Sequence, residues 1–268
     1  MSATAPRTVL FIPGLWIHSS SWGPWANLYE QAGFTPVVEG WPGQSATPES
    51  THQNPAMLND VGLDRVTDHY AQLIDQLPEA PLVIGHSFGG VVAQKLLARG
   101  LASQAVAVDP GPVKGVTKLP FAQIRSALPV VKSKKNRART VALTRSQFRF
   151  GFGNAISRTE SDELFAKWTI PGPGRPLFEA TEANKTPRSP AEVDTKLADR
   201  GPLLIIGGGK DHTVPEAVTR QEFELYDTPA VTDYKVFADR GHSLVFDSKW
   251  KQVAVYTLDW ALTHHVAA

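Results

Sequence analysis

Three residues far apart in the chain, Ser87, Asp211 and His242, carry the chemistry this sequence offers. Ser87 sits in Gly85-His86-Ser87-Phe88-Gly89-Gly90, after the apolar run Pro81-Leu82-Val83-Ile84 and before the helical pattern Val91 to Ala98. That context predicts a strand, a sharp turn carrying the serine, and a helix, with small residues where strand and helix crowd the turn. A serine hydroxyl is a poor nucleophile at neutral pH. It needs an imidazole to take its proton and a carboxylate to fix the imidazole tautomer.

Candidates for both partners follow later strands. Leu203 to Ile206 runs into Gly207-Gly208-Gly209-Lys210-Asp211, which puts Asp211 on a loop at a strand end, and Tyr234 to Phe237 leads through Gly241 to His242. The order serine, acid, histidine is the one that accompanies a G-x-S-x-G turn. Asp109 is the rival acid, because Ala105 to Val108 also delivers it at a strand end. An Asp before Val214-Pro215 would also serve as a helix cap, so Asp211 has a structural reading beside the catalytic one. His86 reads as a packed neighbour of Ser87 rather than as a base.

To position these residues the chain alternates short apolar runs with longer helical patterns. The runs are Thr8 to Ile12, Pro36 to Val38, Leu82 to Ile84, Ala105 to Val108, Leu203 to Ile206 and Tyr234 to Phe237. Such alternation predicts βαβ units and a mainly parallel sheet covered on both faces. Leu63, Val66, Tyr70, Leu73, Ile74 and Leu77 recur at helical spacing, predicting a helix that ends near Pro78. A last helix is expected from about Ser248 to Leu262, with His264 and His265 in a fraying tail.

The alternation stops after Asp109 and resumes at Leu203. Residues 1–110 and 200–268 read as one α/β core, and 111–199 as an inserted, mostly helical cap. Polar linkers would not carry Phe121, Phe148, Phe150, Phe152, Phe165, Trp168 and Phe178. The cap's basic run, Lys132 to Arg139, reads as a solvated face, with a role toward an anionic substrate or partner as the alternative.

The motifs resemble those of the α/β-hydrolase family: Gly85-His86-Ser87-Phe88-Gly89-Gly90, Gly209-Lys210-Asp211-His212-Thr213-Val214-Pro215, Gly241-His242-Ser243 and Phe11-Ile12-Pro13-Gly14-Leu15-Trp16. The resemblance spans nearly the whole chain, although Pro13 stands where the family commonly has histidine. It implies an α/β-hydrolase fold with an inserted cap, and an oxyanion hole formed by the N–H groups of Leu15, with Trp16 as the fallback, and of Phe88. It further implies acyl transfer: attack by Ser87 on an ester-type carbonyl, proton transfer through His242 and orientation by Asp211. The expected activity is serine carboxylic-ester or lactone hydrolysis on a small to medium apolar substrate, with Trp16, Phe148, Phe152 and Trp168 lining the pocket. A lyase, perhydrolase or carbon–carbon hydrolase of the same fold, or a slow-turnover binding protein, is the alternative.

Composition excludes other classes. Lysine and arginine number 27 against 26 acidic residues, so no global field draws nucleic acid or an anionic membrane. There is no cysteine, which removes disulfides and thiolate sites. No His/Asp/Glu spacing signals a metal, and Gly207-Gly208-Gly209-Lys210 lacks the spacing and the following Ser or Thr of a phosphate loop. No cofactor is expected. Met1 to Arg7 is too short and polar for a secretion signal, and no apolar run approaches membrane-spanning length. A small-molecule substrate, a cytoplasmic location and room for a homodimer complete the expectations.

Overall fold

The computed structural model describes residues 7–264. Strands β1 (Arg7–Ile12), β2 (Phe34–Val38), β3 (Leu82–His86) and β4 (Gln104–Val108) form in the first half, and helices α1 (Gly23–Gln31), α2 (Pro48–Gln53), α3 (Leu63–Ile74) and α4 (Phe88–Ala98) connect or follow them. A long segment then carries α5 (Phe121–Val131), β5 (Thr140–Val141), α6 (Arg145–Gly151), α7 (Arg158–Trp168), β6 (Gly172–Pro173) and α8 (Arg175–Thr181). The alternation resumes with β7 (Leu203–Gly208), α9 (Glu216–Glu224), β8 (Thr232–Phe237) and α10 (Trp250–Thr263).

The main sheet has six strands in the order β2-β1-β3-β4-β7-β8, and every neighbouring pair is parallel. Every residue of β3, β4 and β7 is buried. That is why they read as continuous apolar runs rather than as alternating ones. Helix α3 begins at Leu63 as expected but stops at Ile74, before Leu77 and Pro78, and α10 starts two residues later than the pattern suggested. Val253, Ala254, Thr257, Trp260 and Ala261 form the buried face of α10. His264 is the last described residue, so His265 lies outside the described region.

The strand order reverses between β1 and β3: the chain leaves β1 toward β2 on one side and returns with β3 on the other. The crevice at such a reversal, beyond the carboxyl ends of the strands, is where ligands settle in open α/β sheets. Pairing of Ile12 with Gly85 brings the Pro13-Gly14-Leu15 loop alongside the Ser87 turn. The segment between β4 and β7 contributes α5 to α8 and the short antiparallel β5–β6 ladder, and its residues cover Ser87.

Candidate active site

Ser87 occupies a backbone conformation of φ +55° and ψ −123°. This region is open to glycine and costs other residues about 1–3 kcal/mol, so surrounding contacts must hold it. The Ser87 N–H donates to the Val108 carbonyl at 2.9 Å, and the Ser87 carbonyl accepts from Gly90 and Gly111. The flanking glycines have a steric reason: a Cβ on Gly85 would stand 2.0 Å from the Gly89 carbonyl oxygen, and one on Gly89 would stand 2.4 Å from that of Ile12. The strand, turn and helix expected around Ser87 are present, with β3 ending at His86 and α4 starting at Phe88.

His242 leaves the loop after β8 and is fully buried. Its Nδ1–H donates to Asp211 Oδ2 at 2.5 Å, while its Nε2 is buried with no hydrogen-bond partner among the described residues. The imidazole is held between the rings of His86 and Phe152, at centroid distances of 4.5 and 4.7 Å. His86 Nε2 donates to the His242 carbonyl at 2.9 Å, so His86 is the packed neighbour that its position suggested. Arg240 pairs with Asp247, which also accepts from Ser243, and the Trp25 indole donates to the Val245 carbonyl at 2.7 Å. Both clamps fix the loop that carries the imidazole.

Asp211 does two jobs with its two oxygens. Oδ1 accepts the N–H groups of Thr213 and Val214, at 2.6 and 2.8 Å, and Oδ2 holds His242. The structural and catalytic readings of this residue are therefore compatible. The rival acid is also present: Asp109, with φ +42°, lies 3.9 Å from His242 Nδ1 through Oδ2. Asp109 Oδ1 accepts from the Gly208 N–H at 2.5 Å, and its Oδ2 has no hydrogen-bond donor among the described residues. Gly208 thus serves close approach: a Cβ there would meet the Arg240 carbonyl oxygen at 2.9 Å and Asp109 Oδ2 at 3.1 Å.

Two buried carboxyls around one imidazole cannot both carry charge cheaply. Burial raises Asp211 to about 7. Burial and then the neighbouring Asp211 charge push Asp109 well above the ordinary carboxyl range. The single negative charge sits on Asp211, which has two backbone donors to receive it. Burial also lowers His242, to about 4, and keeps its imidazole neutral at neutral pH. His86, Asp109 and His242 each offer a ligand atom within 4.8 Å of one another, a spacing that could hold a metal ion. With Nδ1 bonded to Asp211, His242 has only Nε2 to offer, so holding a metal there and accepting a proton there are alternatives.

The loop after β1 supplies the other half of the site. Neither the Leu15 nor the Phe88 N–H donates to a protein acceptor among the described residues. The Trp41 indole donates to the Pro13 carbonyl at 2.9 Å and so fixes the loop from below. Trp16 adopts φ +68°, its indole donates to the Val141 carbonyl at 2.9 Å, and its ring lines a cavity with Ser87 and Phe88.

That cavity has a volume of about 400 Å³ and an apolar wall that includes Val116, Leu119, Ile124, Ala127, Val131 and Leu177. Its position corrects three expectations. Among the described residues, Phe148, Phe152 and Trp168 are not part of this wall. Phe148 and Phe152 are buried and stacked on each other at 5.1 Å, with Phe152 spent on the His242 ring. Trp168 is half-buried beneath Lys167, 4.4 Å from its ring. The wall comes instead from the loop after Asp109, from α5 and from α8, including Thr117, Gln123, Ser126 and Ala180. Aromatic content drew attention to the wrong helices. The better signal is the inward face of α5, where Gln123, Ala127 and Val130 recur at helical spacing.

Among the described residues, no helix is long and apolar enough to cross a membrane. No curated protein matches the chain. Solved structures do. A methylesterase from Arabidopsis aligns over 96% of this chain and 99% of its own at 17% identity and a TM-score of 0.67. A Paleococcus ferrophilus monoacylglycerol lipase aligns over 97% and 96% at 22% identity and 0.66. An extracellular alpha/beta-hydrolase from a Paenibacillus species aligns over 95% and 98% at 19% identity and 0.70. At these identities the likeness concerns the fold. A model of the alpha/beta hydrolase family matches residues 9–255, and the chain belongs to that family.

Proposed function

We propose that this hydrolase cleaves a carboxylic ester or lactone of a small to medium apolar substrate through an acyl-enzyme on Ser87, without a cofactor. The observation that carries the reading is the state of His242. Its Nδ1 is held at 2.5 Å by Asp211, and its Nε2 is buried and unpartnered on a ring packed beside the residue preceding Ser87. An imidazole fixed at one nitrogen and vacant at the other is a general base awaiting a proton.

In the proposed cycle Ser87 Oγ attacks the ester carbonyl carbon as its proton passes to His242 Nε2. The developing oxyanion is received by the N–H groups of Leu15 and Phe88. His242 returns the proton to the leaving alcohol, and a water, deprotonated by the same nitrogen, then releases the acid. Asp211 stays ionised and stabilises the imidazolium. The apolar wall of the cavity favours an apolar acyl or alcohol group and excludes water from the reacting carbonyl. Relatives of the same fold described as a methylesterase, a monoacylglycerol lipase and polyneuridine aldehyde esterase support ester chemistry.

The test is labelling with a fluorophosphonate and intact-mass and peptide analysis, beside turnover of p-nitrophenyl esters of increasing chain length. An adduct on Ser87, with turnover lost in Ser87→Ala, is the expected result. Undiminished hydrolysis by Ser87→Ala removes the mechanism. Stoichiometric ligand binding without turnover points to a binding protein instead.

A further inference from the structure

The balanced charge of the whole chain conceals a segregation. Between Pro110 and Thr159 there are eleven lysines and arginines and no aspartate or glutamate; since the chain nets +1, the remaining residues together net −10. Four of the eleven, Lys114, Arg137, Arg149 and Arg158, are matched by Glu192, Glu182 and Asp162. Lys118, Lys132, Lys134, Lys135 and Arg139 are exposed and have no ion-pair partner among the described residues.

The same segment holds the most exposed apolar side chain, Phe121, and a cluster of three others around it. Of eight large hydrophobic residues exposed among the described residues, four fall within ten positions: Leu119 (62%), Phe121 (77%), Ile124 (42%) and Leu128 (51%). Phe121, Ile124 and Leu128 recur at the spacing of one helical face, so α5 presents an outward apolar stripe with Arg125 and Lys132 upon it. Its inward face, through Gln123 and Ala127, lines the cavity. Lys118, Leu119 and Ile124 are both exposed and part of the cavity wall, so the cavity opens through this stripe.

We propose that the outer face of α5, with the basic run that follows it, docks the protein on an anionic lipid surface, so that the cavity opens against lipid. Apolar side chains among unpaired cations match such a surface on both counts: the chains enter the acyl boundary and the cations meet the head groups. A second copy of this chain fits less well. Two-fold self-pairing would set one cationic face against another and leave the charges unmatched. Nucleic acid would satisfy the charge but leave Phe121 and Leu128 without apolar contact. The inference does not depend on the ester chemistry, since none of the docking residues takes part in proton transfer.

Flotation with vesicles tests it, using phosphatidylcholine alone and phosphatidylcholine with roughly 30 mol% phosphatidylglycerol, at low and high salt. The expected result is binding to the anionic vesicles, weakened by salt, with little binding to the neutral ones. Each cation near such a surface multiplies partitioning by about fivefold, so Lys132→Gln, Lys134→Gln and Lys135→Gln together cut it by on the order of a hundredfold. Phe121→Ser with Leu128→Ser cuts it by roughly tenfold or more. These positions are exposed, so circular dichroism melting of both variants should match the parent. Ser87→Ala floats like the parent, which separates this proposal from the catalytic one. Absence of anionic-vesicle binding overturns the proposal, and so does binding indifferent to both variant sets. A dimer that Phe121→Ser with Leu128→Ser converts to monomer, with no vesicle binding in either form, assigns the stripe to self-association and likewise overturns it.

Discussion

Asp109 stands 3.9 Å from the His242 nitrogen that Asp211 holds at 2.5 Å, so both strand-end acids reach the same imidazole and only one is bonded to it. The nearer acid holds the ring, and the farther one keeps an oxygen, Oδ2, without a donor among the described residues. Asp211→Asn is expected to lower kcat by up to about ten-thousandfold, the cost of losing tautomer control when no second acid takes over. Asp109→Asn should cost less than roughly tenfold, because the bonded acid remains. Doubly substituted enzyme should fall below Asp211→Asn alone, since Asp109 then no longer substitutes. Equal rates for the double and single variants would assign no such reserve role to Asp109.

Asp109 also sets a pH dependence of stability. Its folded carboxyl is raised by burial and then by Asp211, with His242 and the Gly208 N–H opposing, so folding favours the protonated form. The unfolded carboxyl titrates near the ordinary value of about 4. A raised acid contributes its full stability below that unfolded value and loses it as pH rises toward the folded one. At neutral pH the wild-type chain therefore carries a cost that a neutral amide of the same shape lacks. Thermal unfolding of Asp109→Asn should show a higher midpoint than wild type at pH 7–8, and the gap should close toward pH 4. A lower midpoint at pH 7–8 would mean that Asp109 is ionised in the native site.

Proton counting fixes the acid limb of activity whichever residue holds the proton. With Asp211 ionised and His242 neutral, Nδ1–H faces the carboxylate and Nε2 is free. Adding one proton gives imidazolium beside carboxylate, or neutral imidazole beside carboxylic acid with the ring hydrogen moved to Nε2. Nε2 is occupied in both cases, and the pair titrates as a unit. Burial puts Asp211 at about 7 and His242 lower, so the first proton enters near 7 as pH falls. The logarithm of kcat/KM for p-nitrophenyl acetate should fall with unit slope below a midpoint near 7. A flat profile down to pH 5, in enzyme shown to be folded, contradicts this assignment.

The site was legible where backbone geometry dictates residue type. A nucleophile turn needs small residues at Gly85 and Gly89 because strand and helix meet within contact distance, and that requirement is local. Asp211 and His242 were readable because each follows a strand in an order that the fold imposes. The choice between Asp211 and Asp109 was not, since both follow strands and only the paired oxygens separate them. Pocket residues were misassigned for a different reason. Phe148 and Phe152 satisfy the same hydrophobic criterion whether they face a cavity or each other, and sequence carries no record of which helix overlies Ser87. The indoles of Trp25 and Trp41 brace the His242 loop and the Pro13 carbonyl, long-range contacts that no local spacing in the sequence announces.

Gly14 tests the oxyanion loop without replacing a triad residue. A Cβ there would sit 2.9 Å from Ser87 Cβ and 3.0 Å from His86 Nδ1, so Gly14→Ala must push the loop away from the serine. The Leu15 N–H moves with it. Loss of one oxyanion donor costs about a hundredfold to a thousandfold in kcat. The expected variant is folded, labels slowly with fluorophosphonate and turns over at a rate reduced by that order, with KM little changed. Wild-type kcat in Gly14→Ala would mean that the donor lies elsewhere, with the Trp16 N–H next to be examined.

Gln123 offers a reading of specificity. Its side chain is 8% exposed, lines the cavity, and leaves Oε1 without a donor among the described residues. A buried amide oxygen left unsatisfied costs about 1–3 kcal/mol, a cost that a substrate carrying a matching hydroxyl or amide would relieve. Gln123→Met keeps a similar length and removes the polar atoms. For p-nitrophenyl hexanoate, whose acyl chain has no donor, KM should fall several-fold in Gln123→Met while kcat stays close to wild type. For the corresponding 6-hydroxyhexanoate ester the preference should reverse, with kcat/KM reduced by roughly tenfold or more. If both esters respond to the substitution in the same direction, Gln123 fills space in the wall and does not read the substrate.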